Sequence, residues 1–391
     1  MNIRKSTESN SAELSLKTSE HRNEILRMSP EQAILNDADP EVQLFPTIGY
    51  RLRSESLWRV QIQGRISQAS PASLGKRIML NGLIRALNVP VDVAQGDLFQ
   101  GRVRGFLAAP IAGARIQIEL AGQHYVLPRK SKSSGLFQCR LDLTDKQLES
   151  FKRYGGCKLH DVTSPTANVN QMESNQMDVL QKWDVGLGGQ ASSQVFLAER
   201  TGVSVITDID DTIKLTEVNS RRRMLQRTFS EPFAPIEGMA NVYQKWAEQG
   251  ALFHYVSSSP WQIYDAINQF IQDYGFPSGS MHLKWFRLRD ELFKRWQILR
   301  RKSKGGVIRT LIRRLPERSF VLIGDSGERD PEIYAKLASK FPTQVSRICI
   351  RQIEANPLDS DRLNKLYRRY GMTVPIQVFS SPAQLGELVS V

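Results

Sequence analysis

The chain has no long apolar run and only three cysteines among its 391 residues. A membrane-spanning helix needs about 18 or more consecutive apolar residues, and no stretch approaches that. The opening MNIRKSTESNSAELSLKTSEHRNE has no apolar core of the kind a secretory signal carries. The expectation from both absences is a cytoplasmic protein without a transmembrane segment, free to rest peripherally on a membrane. Cys139, Cys157 and Cys349 are widely spaced. They offer neither the C-x-x-C spacing of zinc or dithiol sites nor the even count of a disulfide framework, so reduced thiols are expected. Basic stretches without interleaved aromatics, and the lack of any recognisable nucleic-acid motif, speak against nucleic acid as a partner.

Apolar residues make up 40% of the sequence and charged residues 24%, enough for two soluble domains each with a core. The formal net charge of +13 favours anionic partners such as phosphorylated substrates or phospholipid surfaces. The charge is concentrated: between Lys284 and Arg318, 13 Lys/Arg stand against three Asp/Glu. Such a run is either a solvated face or a surface that meets something anionic.

Four regions are expected. Residues 1–48, poor in aromatic and β-branched residues, read as a disordered segment with a short helix near Pro30–Leu35. Residues 49–160 read as a smaller β-rich, sandwich-like domain. Its expected strands are LWRVQIQGRIS, LFQGRVRGFLA, ARIQIELAG and LFQCRLDL, with a helix over KRIMLNGLIRALNV. Residues 161–194, rich in Asn, Ser and Gln, read as a linker. From 195 to 391, short apolar strands alternate with helical segments, which predicts an α/β domain with a doubly wound parallel sheet. In such folds ligands bind beyond the carboxyl ends of the strands, which here are Asp208–Thr212, Ser257–Pro260 and Asp325–Asp330.

Three carboxylates follow the strand VSVIT in the string DIDD. They repel one another unless a cation sits among them, and hard oxygen ligands suit magnesium. Ser257, at the end of ALFHYVS, and the amides after it, beginning with Ser258, are placed to hold a phosphate oxygen. Asp325 and Asp330 flank a Gly-containing turn and suit metal support. Lys304 precedes an apolar-periodic helix and can reach a phosphate from the side, with Lys302 as the alternative. Taken singly, each piece has a bland reading: an Asx turn, a strand-end hydroxyl, a surface lysine.

Together and in order, these segments resemble the four motifs of haloacid dehalogenase-type phosphohydrolases. The stretch from about Val203 to Arg351 resembles more closely the catalytic domain of App1-type phosphatidate phosphatases. The likeness is carried by SVITDIDDTIK, FSEPFAPIEGM, YQKWAEQGALFHYVSSSPW, GFPSGSMHLKWFRLRD and VLIGDSGERDPEIY. It implies a haloacid dehalogenase-like Rossmannoid sheet, Asp208 as nucleophile, Asp210 as general acid/base and Thr212 as a brace for the loop. It also implies Ser257, Ser258 and Lys304 as phosphate ligands. Mg²⁺ would be held by Asp208, the Asp210 carbonyl and Asp325, with Asp330 in support. Asp211 belongs to the string without a role of its own. Asp210 is expected to hold a proton because its acidic neighbours should raise its pKa.

The activity that follows is magnesium-dependent hydrolysis of phosphatidate to diacylglycerol and phosphate. The segment Lys214–Ile236, with Arg221, Arg222, Arg223 and Arg227 beside Leu225 and Phe229, is expected to meet the lipid at an anionic membrane. The alternatives are a phosphatase for a soluble phosphomonoester and a lipid-surface adaptor with a secondary phosphatase domain.

Overall fold

The computed structural model describes residues 40–388, apart from 53–56, 69–73, 88–89, 121–122, 149–156, 162–180, 186–188 and 285–295. The helix expected near Pro30–Leu35 and the polar stretch 163–178 therefore lie outside the described residues, as does most of the basic run Lys284–Arg318 at the level of side chains.

Six strands build the C-terminal sheet: Val203–Thr207, Leu252–Pro260, Gly279–Lys284, Ser319–Asp325, Val345–Arg351 and Ile376–Phe379. Every neighbouring pair is parallel. From one edge the chain order is third, second, first, fourth, fifth, sixth. Alternation along each strand sends successive side chains to opposite faces. Val205, Phe253, Tyr255 and Ile323 pack with the helices Met239–Glu248 and Tyr264–Asp273. Ile206, Val256, Leu322 and Ile348 pack with the helices Trp296–Arg314, Asp330–Lys340 and Ser360–Tyr370 on the other face. Both faces are thus covered, which is why the strands read as continuous apolar runs. The strand order reverses at Val203–Thr207, and a crevice opens there beyond the carboxyl ends.

The N-terminal part is β-rich, as expected. The long strand Leu57–Gln68 pairs antiparallel with Glu41–Leu44, Thr47–Arg51, Ala109–Pro110 and Leu136–Thr144. A second sheet of Gln123–Val126, Ile116–Leu120 and Cys157–Asp161 contributes Ile116 to a core with Trp58, Val60, Ile62 and Phe137.

Several expectations change. Strands begin at Glu41, inside the stretch expected to be disordered, because Val42 and Leu44 have a core to enter. Val195–Ala198 pairs parallel with Thr47–Arg51, so this strand belongs to the N-terminal sheet and the junction falls at 199–202. Within the expected linker, Gln181–Val185 and Gly189–Ser193 form an antiparallel pair. LFQGRVRGFLA is not a strand: Asp97–Leu107 is helical, burying Phe99, Arg102, Val103 and Phe106 on one face. Those four positions follow helical spacing, and the partner for that face comes from the C-terminal domain.

The two parts share a core. Phe45 stacks on Trp261 with ring centroids 3.8 Å apart. The Met281 amide donates to the Pro46 carbonyl at 3.0 Å, and Gln43 Nε2 donates to Asp265 at 2.7 Å. The helix Asp97–Leu107 lies so close to the Trp261 turn that a Cβ at Gly105 would come 2.2 Å from the Gln262 carbonyl oxygen. Among the described residues, no helix is long and apolar enough to cross a membrane. Cys139 and Cys349 are free and buried, and burial raises both thiols to about 12. The Cys157 side chain lies outside the described set.

Candidate active site

Asp208 follows the central strand directly. Its amide donates to the Ile323 carbonyl at 2.9 Å, the last parallel contact before the chain turns. The turn is tight: the amides of Ile213 and Lys214 both reach the Ile209 carbonyl at 3.0 Å. Asp211 adopts a left-handed conformation with φ 54°, which Asp tolerates better than most residues. Its carboxylate accepts from the amides of Thr216, Glu217 and Val218 at 2.7–2.8 Å, fixing the loop that leaves the sheet.

The turn sends Asp208 and Asp210 to different partners. Asp208, Asp325 and Asp330 are buried, and each offers a carboxylate oxygen within 4.8 Å of the others. Asp325 ends one strand and Asp330 opens the next helix, so two strand ends and one helix start supply the trio. A Cβ at Gly324 would lie 2.2 Å from Asp330 Oδ2, which makes glycine necessary there. Lys304 Nζ lies 3.0 Å from Asp208 and 2.5 Å from Asp330. Lys304 therefore reaches the site from its helix, whereas the Lys302 side chain is outside the described set.

Burial pushes Asp208 above the usual carboxylate range, with Lys304 opposing and Asp330 reinforcing the shift. Burial and then the neighbouring carboxylates of Asp330, Glu328 and Asp208 do the same to Asp325. Burial works against the Lys304 ammonium, yet Asp208 and Asp330 together hold it charged, above its ordinary value. Asp208 Oδ2 and Asp325 Oδ2 are buried and have no hydrogen-bond partner. Buried carboxylate oxygens left unsatisfied beside one another are costly. A hard divalent cation would satisfy both, so the donor set fits Mg²⁺.

Asp210 points away from this trio. It forms an ion pair with Lys214 at 2.9 Å and accepts from the hydroxyls of Ser257 (2.9 Å), Ser259 (2.7 Å) and Thr216 (2.9 Å). Burial would raise its pKa, but Lys214 and the Ser259 and Ser257 hydroxyls outweigh it and hold the group well below the usual range. The expectation of a protonated Asp210 is thereby corrected: a buried lysine, not the acidic neighbours, sets its charge. Thr212 is buried with its amide on the Ile209 carbonyl at 3.3 Å, while its hydroxyl has no partner.

The Ser257 hydroxyl is committed to Asp210 and also accepts from the Ser259 amide. Ser258 faces a cavity of about 270 Å³ lined also by Lys304, Asp330, Asn219 and Glu328. Asp210, Thr216, Thr228, Ser258 and Ser259 line one side of a second, much smaller recess of about 30 Å³, whose apolar wall is Val218, Met224, Leu225, Phe229 and Pro260. Lys214, Thr216 and Ser259 were not anticipated as site residues. Lys214 and Ser259 do stand in the strings DIDDTIK and SSSP, beside residues that were.

The wall of the recess is the helix Arg221–Phe229, capped by the Ser220 side chain. Of its four arginines, Arg223 and Arg227 pair with Glu217 and Glu231, whereas Arg221 and Arg222 are exposed. The segment is less basic in effect than its sequence suggests.

Residues 203–352 match the family described as "Phosphatidate phosphatase APP1, catalytic domain". An uncharacterized protein of Schizosaccharomyces pombe is 34% identical over 165 residues, 41% of this chain and 27% of that protein. The phosphatidate phosphatase APP1 of Saccharomyces cerevisiae is 34% identical over 154 residues, 38% of this chain and 26% of its own length. The matched regions thus span about a quarter of either relative. A crystal structure described as a HAD-like phosphatase from Mesorhizobium loti covers 43% of this chain and 85% of its own, at 13% identity and a TM-score of 0.27, too slight a likeness to carry weight. Gathered at the carboxyl edge of a parallel sheet, the carboxylates, Lys304 and the serine turn lie within or between the matched strings, and this chain carries an App1-type domain.

Proposed function

We propose that the chain is a Mg²⁺-dependent phosphatase of the haloacid dehalogenase type that hydrolyses phosphatidate to diacylglycerol and phosphate, with Asp208 as nucleophile. The observation that carries this reading is the buried trio Asp208, Asp325 and Asp330 around Lys304, with two carboxylate oxygens left without partners.

Mg²⁺ held by Asp208, Asp325 and the Asp210 carbonyl, with Asp330 in support, would neutralise the charge that otherwise keeps a carboxylate and a phosphate apart. The remaining work falls to side chains. Asp208 attacks phosphorus from the end of a central strand paired on both sides, which keeps the attack in line. Lys304, reaching in from its own helix, and Ser258 in the cavity wall hold the non-bridging oxygens. Asp210 stands between the phosphate cavity and the apolar recess, where the leaving oxygen would lie. Ionised in the free site, it takes a proton from the incoming phosphate monoanion, passes it to that oxygen as the bond breaks, and later takes one from the water that opens the aspartyl-phosphate. Lys214, Ser257, Ser259 and Thr216 keep it aimed.

The apolar wall of the small recess beside Asp210 supports a leaving group whose first carbons are hydrocarbon in character, and exposed Arg221 and Arg222 support peripheral contact with an anionic surface. The test is phosphate release from phosphatidate in mixed micelles and from p-nitrophenyl phosphate, with Mg²⁺ or EDTA. Metal-dependent release from phosphatidate, abolished in Asp208→Asn, is the expected result. Release from the soluble ester alone would discard the lipid, and release by Asp208→Asn at a rate near the unaltered protein's would discard the mechanism.

A further inference from the structure

The helix Arg221–Phe229 that walls the apolar recess is braced from behind by a residue of the N-terminal part. Arg102 is 8% exposed, and its guanidinium donates to three main-chain carbonyls: Thr228 at 2.8 Å, Glu231 at 2.6 Å and Arg227 at 3.3 Å. The same group lies 3.7 Å over the Phe233 ring. Burial lowers its pKa to about 10. Among the described residues its partners are carbonyls and a ring, not a carboxylate. A buried cation is costly unless it is well paired. Here the pairing is the carbonyl end of a helix, where unsatisfied acceptors and the helix dipole both favour positive charge. One helical turn along, Phe106 meets Phe229 with ring centroids 5.7 Å apart, and Phe229 itself faces the recess.

We infer that Arg102 is a positioning residue: it fixes the last turn of Arg221–Phe229 and so holds Met224, Leu225 and Phe229 as the surface on which an apolar leaving group docks. The N-terminal part thereby contributes to the choice of substrate without touching it. The consequence for turnover rests on the function proposed above, but the brace itself does not.

Two readouts on the full chain separate the brace from the function. The first is hydrogen exchange of amides in 224–233, compared with the sheet strands 203–207 and 319–325, in Arg102→Met and Arg102→Lys. Protection in 224–233 should fall about tenfold in Arg102→Met with the sheet unchanged, and Arg102→Lys should recover part of it. Unchanged exchange in 224–233, or equal loss in the sheet, overturns the inference whatever the substrate. The second is the ratio of kcat/KM on dodecyl phosphate to that on p-nitrophenyl phosphate. Arg102→Met should lower this ratio about tenfold, mainly through KM for the long-chain ester. An equal loss on both esters means general damage and overturns the inference. If the unaltered protein hydrolyses neither ester, the proposed function fails and the exchange result alone decides the brace.

Discussion

Lys214 and Asp210 bury opposite charges 2.9 Å apart, with side-chain exposures of 1% and 7%. Removing one member of such a pair leaves the other charged and dry, which costs far more than the pair itself contributes. Lys214→Met is expected to lower the free energy of unfolding by about 3–5 kcal/mol, read as a lower urea midpoint. A midpoint like that of the unaltered protein would mean that the three hydroxyls around Asp210 suffice. Sequence showed part of this site and not the rest. Asp208 and Asp325 lie at or just beyond strand ends, Ser257 follows the last regularly paired residue of its strand, Val256, and Asp330 opens the helix after the Asp325 turn; all four follow apolar runs that can be read. Lys214 and Asp211 act through a chain reversal at a left-handed residue, and Ser259 through the irregular end of the strand Leu252–Pro260; no local periodicity announces where such segments point their side chains.

At the scale of elements, four strands of the parallel sheet were legible because each is short, apolar and followed by a helix; the edge strands Gly279–Lys284 and Ile376–Phe379 were not, the first being half polar and the second only four residues long. The segment LFQGRVRGFLA was misread because its Phe99, Val103 and Leu107 also fall on one face of a strand, and its two glycines lower helix propensity. What decides for a helix is a surface some 125 residues further along the chain, the carbonyls of Arg227 and Thr228. Gly105 is part of that docking. Alanine in place of a helical glycine ordinarily gains up to about 1 kcal/mol. A Cβ 2.2 Å from the Gln262 carbonyl oxygen instead forces helix and turn apart, at about 1–3 kcal/mol. Gly105→Ala should therefore lower the melting temperature, and a raised one would show the contact to be soft.

Across the whole molecule, one polar network in the sheet makes stability depend on pH. His254 hydrogen-bonds Ser280 at 2.7 Å and Ser204 at 3.3 Å, and Ser280 meets His282 at 3.0 Å. Arg318, bonded to Ser204 at 2.9 Å, adds a fixed positive charge. Burial, then His282 and Arg318, hold His254 well below 6.5. Burial and then Arg314 lower His282 to about 4. Both rings are neutral in the fold, so the unfolded chain binds more protons as pH falls from 6.5 towards 4. Their stabilisation is complete above 6.5 and is lost through that window. The urea midpoint should fall between pH 7 and pH 4, and more gently in a His254→Gln/His282→Gln variant; equal slopes would place the acid sensitivity in the carboxylates.

The strand Val195–Ala198 has a further consequence in the order of synthesis. The N-terminal sheet receives its last strand only when residue 198 has been made, and Phe45, Phe99 and Phe106 find their partners only with residues 229–264. A nascent chain that has reached residue 200 therefore has every strand of that sheet but still bare aromatic faces. The contact of Gln43 with Asp265 spans 222 residues and closes late. Two domains that look separable along the sequence are, during biosynthesis, one unfinished object until the second strand of the catalytic sheet arrives.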